Sequence, residues 1–284
     1  MQDVIEGYSR GLYSNWLWHK GTQVLVDAGE GVHLALRSGV WQLDVVAITH
    51  GHSDHVLGLA GFAGARRFGK GATTKPWTVL YPANSSGVIA TRELIAGLWR
   101  GVEFPITWIA VEHGTTHRLS QLRHIEAFRV NHVAEEPTVG YRVVESRRRL
   151  KLEYAARPQE EVERIAKSKG REELMEPHPH VVFIHSGDAM PIDPSLARDA
   201  DLLVHDATFL SADERREPIH ATTAEVLQVA REANVKALVI NHLSVRYERA
   251  MALARMREQL AASGFTGACW FLDESALIDL SRRT

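Results

Sequence analysis

Ile48-Thr49-His50-Gly51-His52-Ser53-Asp54-His55 is the stretch that decides the reading of this chain. From His50 to His55 it carries three imidazoles and a carboxylate. It follows Val45-Val46-Ala47-Ile48, an apolar, β-branched run that is opened by Leu43-Asp44 and is too short for a helix, so a buried strand is predicted. Val56-Leu57-Gly58-Leu59-Ala60 then begins an apolar helix. The polar side chains therefore fall on the turn at the carboxyl end of a strand, where open α/β folds place their chemistry. Imidazole and carboxylate together are ligands for zinc and neighbouring divalent metals. The alternative is a chance cluster, but packing these groups without a ligand would leave several polar atoms unsatisfied. A metal-binding protein is expected.

Composition narrows the class. A chain of 284 residues can bury a large core. Its 45% hydrophobic and 24% charged residues are ordinary for a globular protein. A net charge of −2 gives no overall basic field for nonspecific nucleic-acid binding, although a local patch stays open. The single cysteine, Cys269, lies in the apolar run Ala268 to Leu272, reads as a buried thiol, and fits a reducing cytoplasm. The N-terminus, Met1-Gln2-Asp3-Val4-Ile5-Glu6, has neither a basic nor an apolar leader region, and no 18-residue apolar run occurs. A cytoplasmic protein without a membrane partner is expected.

Working outward, strands are predicted at 14–18 and 23–27, the second ending at Asp27 before the small-residue turn 28–31. A helix to about Phe68, a loop Gly69–Pro76, a strand at 77–81, a helix at 88–99 and strands near 106–111 and 125–130 follow. Val181 to Asp188 and Leu202 to Phe209 read as buried strands that run into turns. A helix at 224–234, a strand from Ala237, a helix at 248–263 and a strand at 269–272 complete the chain. This alternation argues for an α/β fold. One domain is expected over 1–284, with a variable segment at 145–180. In that segment Arg147, Arg148, Arg149 and Lys151 form a basic run, read either as a phosphate-contacting patch or as a solvated linker, the linker being preferred. Pro158 to Lys169 reads as a charged helix with Pro at its first position and charges that suit the helix dipole. His178 and His180 are read as loop residues.

Thr49 to His55 resembles the H-x-H-x-D-H signature of the metallo-β-lactamase fold superfamily. The resemblance implies a four-layer αβ/βα sandwich with a one- or two-metal site between two sheets at one edge. Further segments resemble its ribonuclease Z-like branch, which processes transfer-RNA 3′ ends. They are His132 followed by Gly140-Tyr141-Arg142; Ser186-Gly187-Asp188; His205-Asp206-Ala207-Thr208-Phe209; His220-Ala221-Thr222-Thr223; and Asn241-His242-Leu243-Ser244-Val245-Arg246-Tyr247. Asp206 stands where that branch has Glu, and Asn241 where it has Thr. The resemblance implies His50, His52 and His132 on one metal, Asp54, His55 and His242 on the other, and Asp188 bridging them. A carboxylate has an oxygen to offer each of two cations. It further implies Asp27 as an outer residue that orients a ligand imidazole, as such imidazoles commonly require. Asp27 as a simple turn cap is the alternative. His220 is implied as general acid with Asp206 orienting it, against a plain helix-capping role for His220. Asp54 would also accept a hydrogen bond from the nucleophile. Ser244 and Arg246 are candidate phosphate contacts, because a guanidinium fork matches phosphate, although Arg246 also reads as a surface residue.

Two divalent ions, zinc first with manganese or iron as alternatives, would activate water and clamp a phosphoryl oxygen, which suits phosphodiester hydrolysis. Three functions stand open: endonucleolytic cleavage at the 3′ side of transfer-RNA precursors, hydrolysis of small phosphodiesters, and metal binding without catalysis. The partners would be RNA or a small diester, and the resemblance adds a homodimer. Lactam hydrolysis is not expected, since Asp188 as bridge and the Asp54-His55 pair point to the phosphodiesterase-like branch. Two departures from the branch bear on the substrate. The chain lacks a Leu-Gly-Thr-Gly segment near its start, and 142–181 has no Gly-Pro-rich stretch like the tip of a transfer-RNA-gripping arm.

Overall fold

Strand residues alternate between two cores, and this alternation builds the architecture. In the computed structural model, which describes residues 1–69 and 75–282, Val24, Val26, Val45 and Ala47 join the core between the two sheets. Leu25 and Val46, the residues between them, join a separate outer core. On the other side Phe183, Val204 and Val239 point between the sheets, whereas Ile184, Leu203, Leu238 and Ile240 point outward. Side chains of period two sort onto opposite faces in this way, and strands buried on both faces read as continuous apolar runs. Of the loop expected over Gly69–Pro76, residues 70–74 lie outside the described residues.

The first sheet contains β1 (Ile5–Arg10), β2 (Ser14–His19), β3 (Val24–Val26), β4 (Val45–Ala47), β5 (Trp77–Pro82) and β6 (Ile106–Val111), in that order. β3 to β6 run parallel. The second sheet contains β7 (Thr116–Arg118), β8 (Arg123–Arg129), β9 (Val139–Leu150), β10 (Met175–His185), β11 (Leu203–Asp206), β12 (Ala237–Asn241), β13 (Ala268–Asp273) and β14 (Ala276–Asp279), again in chain order across the sheet. β10 to β13 run parallel. Helices Val32–Leu36, Gly58–Phe68 and Ser86–Leu98 cover the outer face of the first sheet. Thr223–Glu232 and Arg249–Ser263 cover that of the second. The result is the four-layer sandwich expected of the fold. Among the described residues no helix is long and apolar enough to cross a membrane.

The segment 145–180 departs from its reading. β9 continues to Leu150 and pairs antiparallel with β10 from Met175 onward, so His178 and His180 are strand residues opposite Arg147 and Glu145, not loop residues. The arginines form neither a solvated linker nor a free basic patch. Arg147 pairs with Glu145 and Asp201, Arg148 with Glu172, and Arg149 with Glu176. Pro158 is the cap of helix Gln159–Lys169, one position before the expected first turn. The helix after the histidine turn divides into Ser53–Val56 and Gly58–Phe68. β1, β7 and β14 were not anticipated.

Candidate metal centre

Four parallel strands deliver the centre at their carboxyl ends. β3 ends at Asp27, β4 at the histidine turn, β10 at Ser186-Gly187-Asp188 and β12 at His242. β8 adds His132 after Arg129, and β11 ends on Asp206 itself. Three of these turns need a left-handed residue: Asp27 at φ 59°, Gly187 at φ 65° and His242 at φ 61°. Gly187 cannot be replaced cheaply, since a Cβ there would come within 2.8 Å of the Thr49 Cβ. The two non-glycine positions persist only because their side chains are held on every side.

The ligand atoms converge. His50 Nε2 lies 3.0 Å from His52 Nδ1, and the His132 ring centroid is 5.1 Å from that of His50 and 5.3 Å from that of His52. His55 Nε2 is 3.5 Å from Asp54 Oδ2, and His242 Nε2 is 3.6 Å from the same oxygen. Asp188 sits between the groups, with Oδ1 3.5 Å from His55 Nε2 and Oδ2 3.8 Å from His50 Nε2 and 3.2 Å from His242 Nε2. The sets His50/His52/His132, Asp54/His55/His242 and His50/His55/Asp188 each bring their donor atoms within 4.8 Å of one another. So does a further set of Asp188, Asp206, His220 and His242.

Two buried carboxylates orient the rings. Asp27 Oδ2 accepts from His55 Nδ1 at 2.8 Å, and its carboxylate also receives the Thr49 N–H at 2.7 Å and the Thr49 hydroxyl. Thr49 Oγ1 in turn meets His50 Nδ1 at 3.0 Å. In the second sheet Asp206 Oδ2 meets His220 Nδ1 at 2.7 Å, and Oδ1 accepts from Thr208 Oγ1 at 2.7 Å. Thr208 Oγ1 meets His242 Nδ1 at 2.8 Å. His132 Nδ1 faces the Ile219 carbonyl at 2.9 Å. Each of these rings thus donates through Nδ1 and keeps the Nε2 lone pair for the centre, the usual arrangement of metal-binding imidazoles.

Charge follows the same plan. Burial and the neighbouring imidazoles, His55 first, hold His50 neutral, and burial lowers His132. Burial opposes ionisation of Asp188, but His242 and His55 outweigh it and hold the carboxyl well below its usual range. Asp206 is lowered against its burial chiefly by His220. Burial lowers His220, yet Asp206 prevails and raises it to about 9. Burial opposes the charged form of His55, but Asp188 and Asp27 raise it well above its usual range, so a cation bound there would displace its proton; neutral imidazole and ionised carboxylate are the forms that bind metal. His132 Nε2 and His242 Nε2 are also buried and have no hydrogen-bond partner among the described residues, so a cation would satisfy two otherwise costly atoms. The donor set fits divalent cations.

The candidate phosphate contacts sit at the rim. Arg246 is exposed, its guanidinium lies 5.0 Å from the centre of the Phe209 ring, and its Nε donates to Ser244 Oγ at 3.2 Å. Phe209 stands 6.2 Å from His220, ring to ring. Thr222, not His220, caps helix Thr223–Glu232, through a capping box with Glu225. Glu136 carries no sequence signal, yet its Oε1 accepts the Gly51 N–H at 2.9 Å and the Ser85 hydroxyl, fixing the turn between His50 and His52. Ser9 and Asn15 were missed likewise.

Comparison with known proteins agrees with this geometry. The metallo-beta-lactamase superfamily profile matches residues 11–122. A ribonuclease Z of Halobacterium salinarum is 32% identical over 272 residues, covering 87% of this chain and 84% of the relative. The chain belongs to the ribonuclease Z family. It is accordingly a metal-dependent hydrolase, and the metallo-beta-lactamase fold implies divalent metal at its His and Asp clusters. Two solved structures share the fold. The metallo-beta-lactamase fold protein YhfI from Bacillus subtilis has a TM-score of 0.65 at 15% identity, covering 96% of this chain and 98% of that one. The short form of human tRNase Z has a TM-score of 0.61 at 19% identity, covering 85% and 93%.

Proposed function

We propose that this chain is a dinuclear phosphodiester hydrolase that cleaves transfer-RNA precursors endonucleolytically at the 3′ side, with zinc as its resident metal. One observation carries the reading: two ligand sets, His50/His52/His132 and Asp54/His55/His242, meet at the single carboxylate Asp188, beside the Asp206–His220 pair. The names of its relatives, ribonuclease Z and tRNase Z, support the choice of RNA. Two divalent cations held by these residues would supply positive charge to a phosphoryl group and make water more acidic. His220 keeps Nε2 for the leaving oxygen, because Nδ1 is taken by Asp206. Asp206 raises His220 against its burial and so favours the charged imidazole, the form that can supply the proton a departing alkoxide needs. Asp54 accepts a hydrogen bond from the attacking water, and Ser244 and Arg246 contact phosphate at the rim. Asp27 keeps the His55 ring turned toward the centre.

One observation favours a second reading, hydrolysis of small diesters. Arg147, Arg148 and Arg149 are all committed to acidic partners, which leaves less free positive charge for an RNA backbone. Incubating the purified protein with precursor transfer-RNA and with bis-p-nitrophenyl phosphate, under zinc and under manganese, decides between them. A single RNA cut beyond the acceptor stem, strongly weakened by salt, is expected. Diester turnover with RNA left intact would select the second reading, and metal uptake without any turnover the catalytically silent one. We also infer a homodimer, supported by Ile89, Leu94 and Leu98, which helix Ser86–Leu98 leaves exposed. A monomer mass in light scattering removes it.

A further inference from the structure

The β1–β2 hairpin carries a polar pair that the chemistry above does not use. Ser9 and Asn15 face each other in the ladder and are 2% and 3% exposed. A buried hydroxyl and carboxamide are costly unless their bonds are satisfied. Here they form one continuous chain. Ser9 Oγ accepts the His242 backbone N–H at 2.8 Å and donates to Asn15 Oδ1 at 2.7 Å. Asn15 Nδ2 donates to Asp54 Oδ2 at 2.9 Å and lies 3.4 Å from His55 Nε2, and the Leu12 N–H, from the hairpin turn, donates to the same Asp54 oxygen at 3.1 Å. That oxygen is the one facing both His55 Nε2 and His242 Nε2. The hairpin therefore grips a candidate ligand from each sheet, both from the same ligand set. His50 and His132 lean on other partners, Thr49 and the Ile219 carbonyl.

We propose that Asn15, seated by Ser9, is a positioning residue for one metal locus only: its amide aims Asp54 Oδ2 at the space between His55 and His242. The residue type suits the task. A serine would be too short to span from β2 to Asp54, and an aspartate would set a second negative charge against the carboxylate. A neutral amide, together with the Leu12 N–H, fixes the direction of the oxygen and leaves its charge for a cation. Outer partners of this kind typically govern about 10–100-fold in metal affinity. The inference rests on the dinuclear reading.

The test is zinc titration of the apo protein against a chromophoric chelator, for wild type, Asn15→Leu and Ser9→Ala. Asn15→Leu nearly conserves volume and removes the amide. Wild type should bind two equivalents. Asn15→Leu should weaken one of them by about 10–100-fold and leave the other unchanged. Ser9→Ala should weaken the same equivalent by a smaller factor, and it reads the device even if Asn15→Leu fails to fold. Wild-type affinities in both variants, or equal weakening of both equivalents, overturns the proposal while leaving the dinuclear reading intact. Fewer than two equivalents in wild type removes that reading and the proposal with it.

Discussion

Asp206 serves two histidines by different routes, and this makes their roles separable. It bonds His220 directly and reaches His242 through Thr208. His220→Ala should therefore leave zinc content unchanged, by elemental analysis, while RNA or diester cleavage falls by about two to four orders of magnitude. Unchanged turnover takes His220 out of the mechanism. Asp206→Ala should lower activity and also loosen metal, because Thr208 then loses the acceptor that orders it against His242. At this scale the sequence is legible only where function is written locally. His50, His52, Asp54 and His55 announce themselves by spacing. Ser9 and Asn15 do not, being ordinary strand residues whose meaning comes from a hairpin folding back onto Asp54 and His242.

Elements show the same division. Helix Gly58–Phe68 buries Arg66 to 1% exposure, where its guanidinium serves the Val40 and Leu43 carbonyls and Asp44, just before β4. Arg66→Ala strands those carbonyls, so urea unfolding should report a loss on the order of 2–4 kcal/mol, and a loss below the error of the method would mean water replaces the side chain. β2 ends at His19, stacked on Phe183 at 4.6 Å. Burial and then Arg123 lower its pKa to about 4, with Asp201 opposing. The unfolded chain titrates near 6.5, so folding excludes a proton below that pH; this contribution is full above 6.5 and fades toward 4. The stability difference between wild type and His19→Gln should thus shrink by about 2 kcal/mol from pH 6.5 to pH 5. A constant difference would mean that His19 is protonated in the fold. Physical reasons explain the elements that were misread. In β1 the inward residues are Ile5, Gly7 and Ser9, so the apolar alternation is broken; Gly7 is required because a Cβ would lie 2.9 Å from the Trp16 carbonyl. Pro177-His178-Pro179-His180 looks like a loop, yet prolines are tolerated in β10 there because β11 pairs only with Ile184 and His185, leaving this stretch an edge.

Across the whole molecule, the segment 151–174 reads as a separable unit. Leu150 pairs with Met175, and between them Tyr154 and Leu174 are the buried residues. Replacing residues 151–174 by a two-residue turn should leave bis-p-nitrophenyl phosphate turnover within about twofold and lower Tm by only a few degrees. Loss of metal or of the folded state would show that the segment supports the body. The fold class was legible because apolar runs and polar turns alternate along the chain; the ladder within 145–180 was not, since its ion pairs join residues 24 and 27 positions apart in a segment whose local composition is that of solvent-facing chain. Asp188 also has a mechanical consequence. It comes from the second sheet and faces His50 and His55, which come from the first. Cations held among them would act as a rivet at one rim of the sandwich, adding coordination bonds to the diffuse dispersion forces that join the sheets elsewhere. Stripped of metal, the molecule should gape at that rim first, like a book held by its spine.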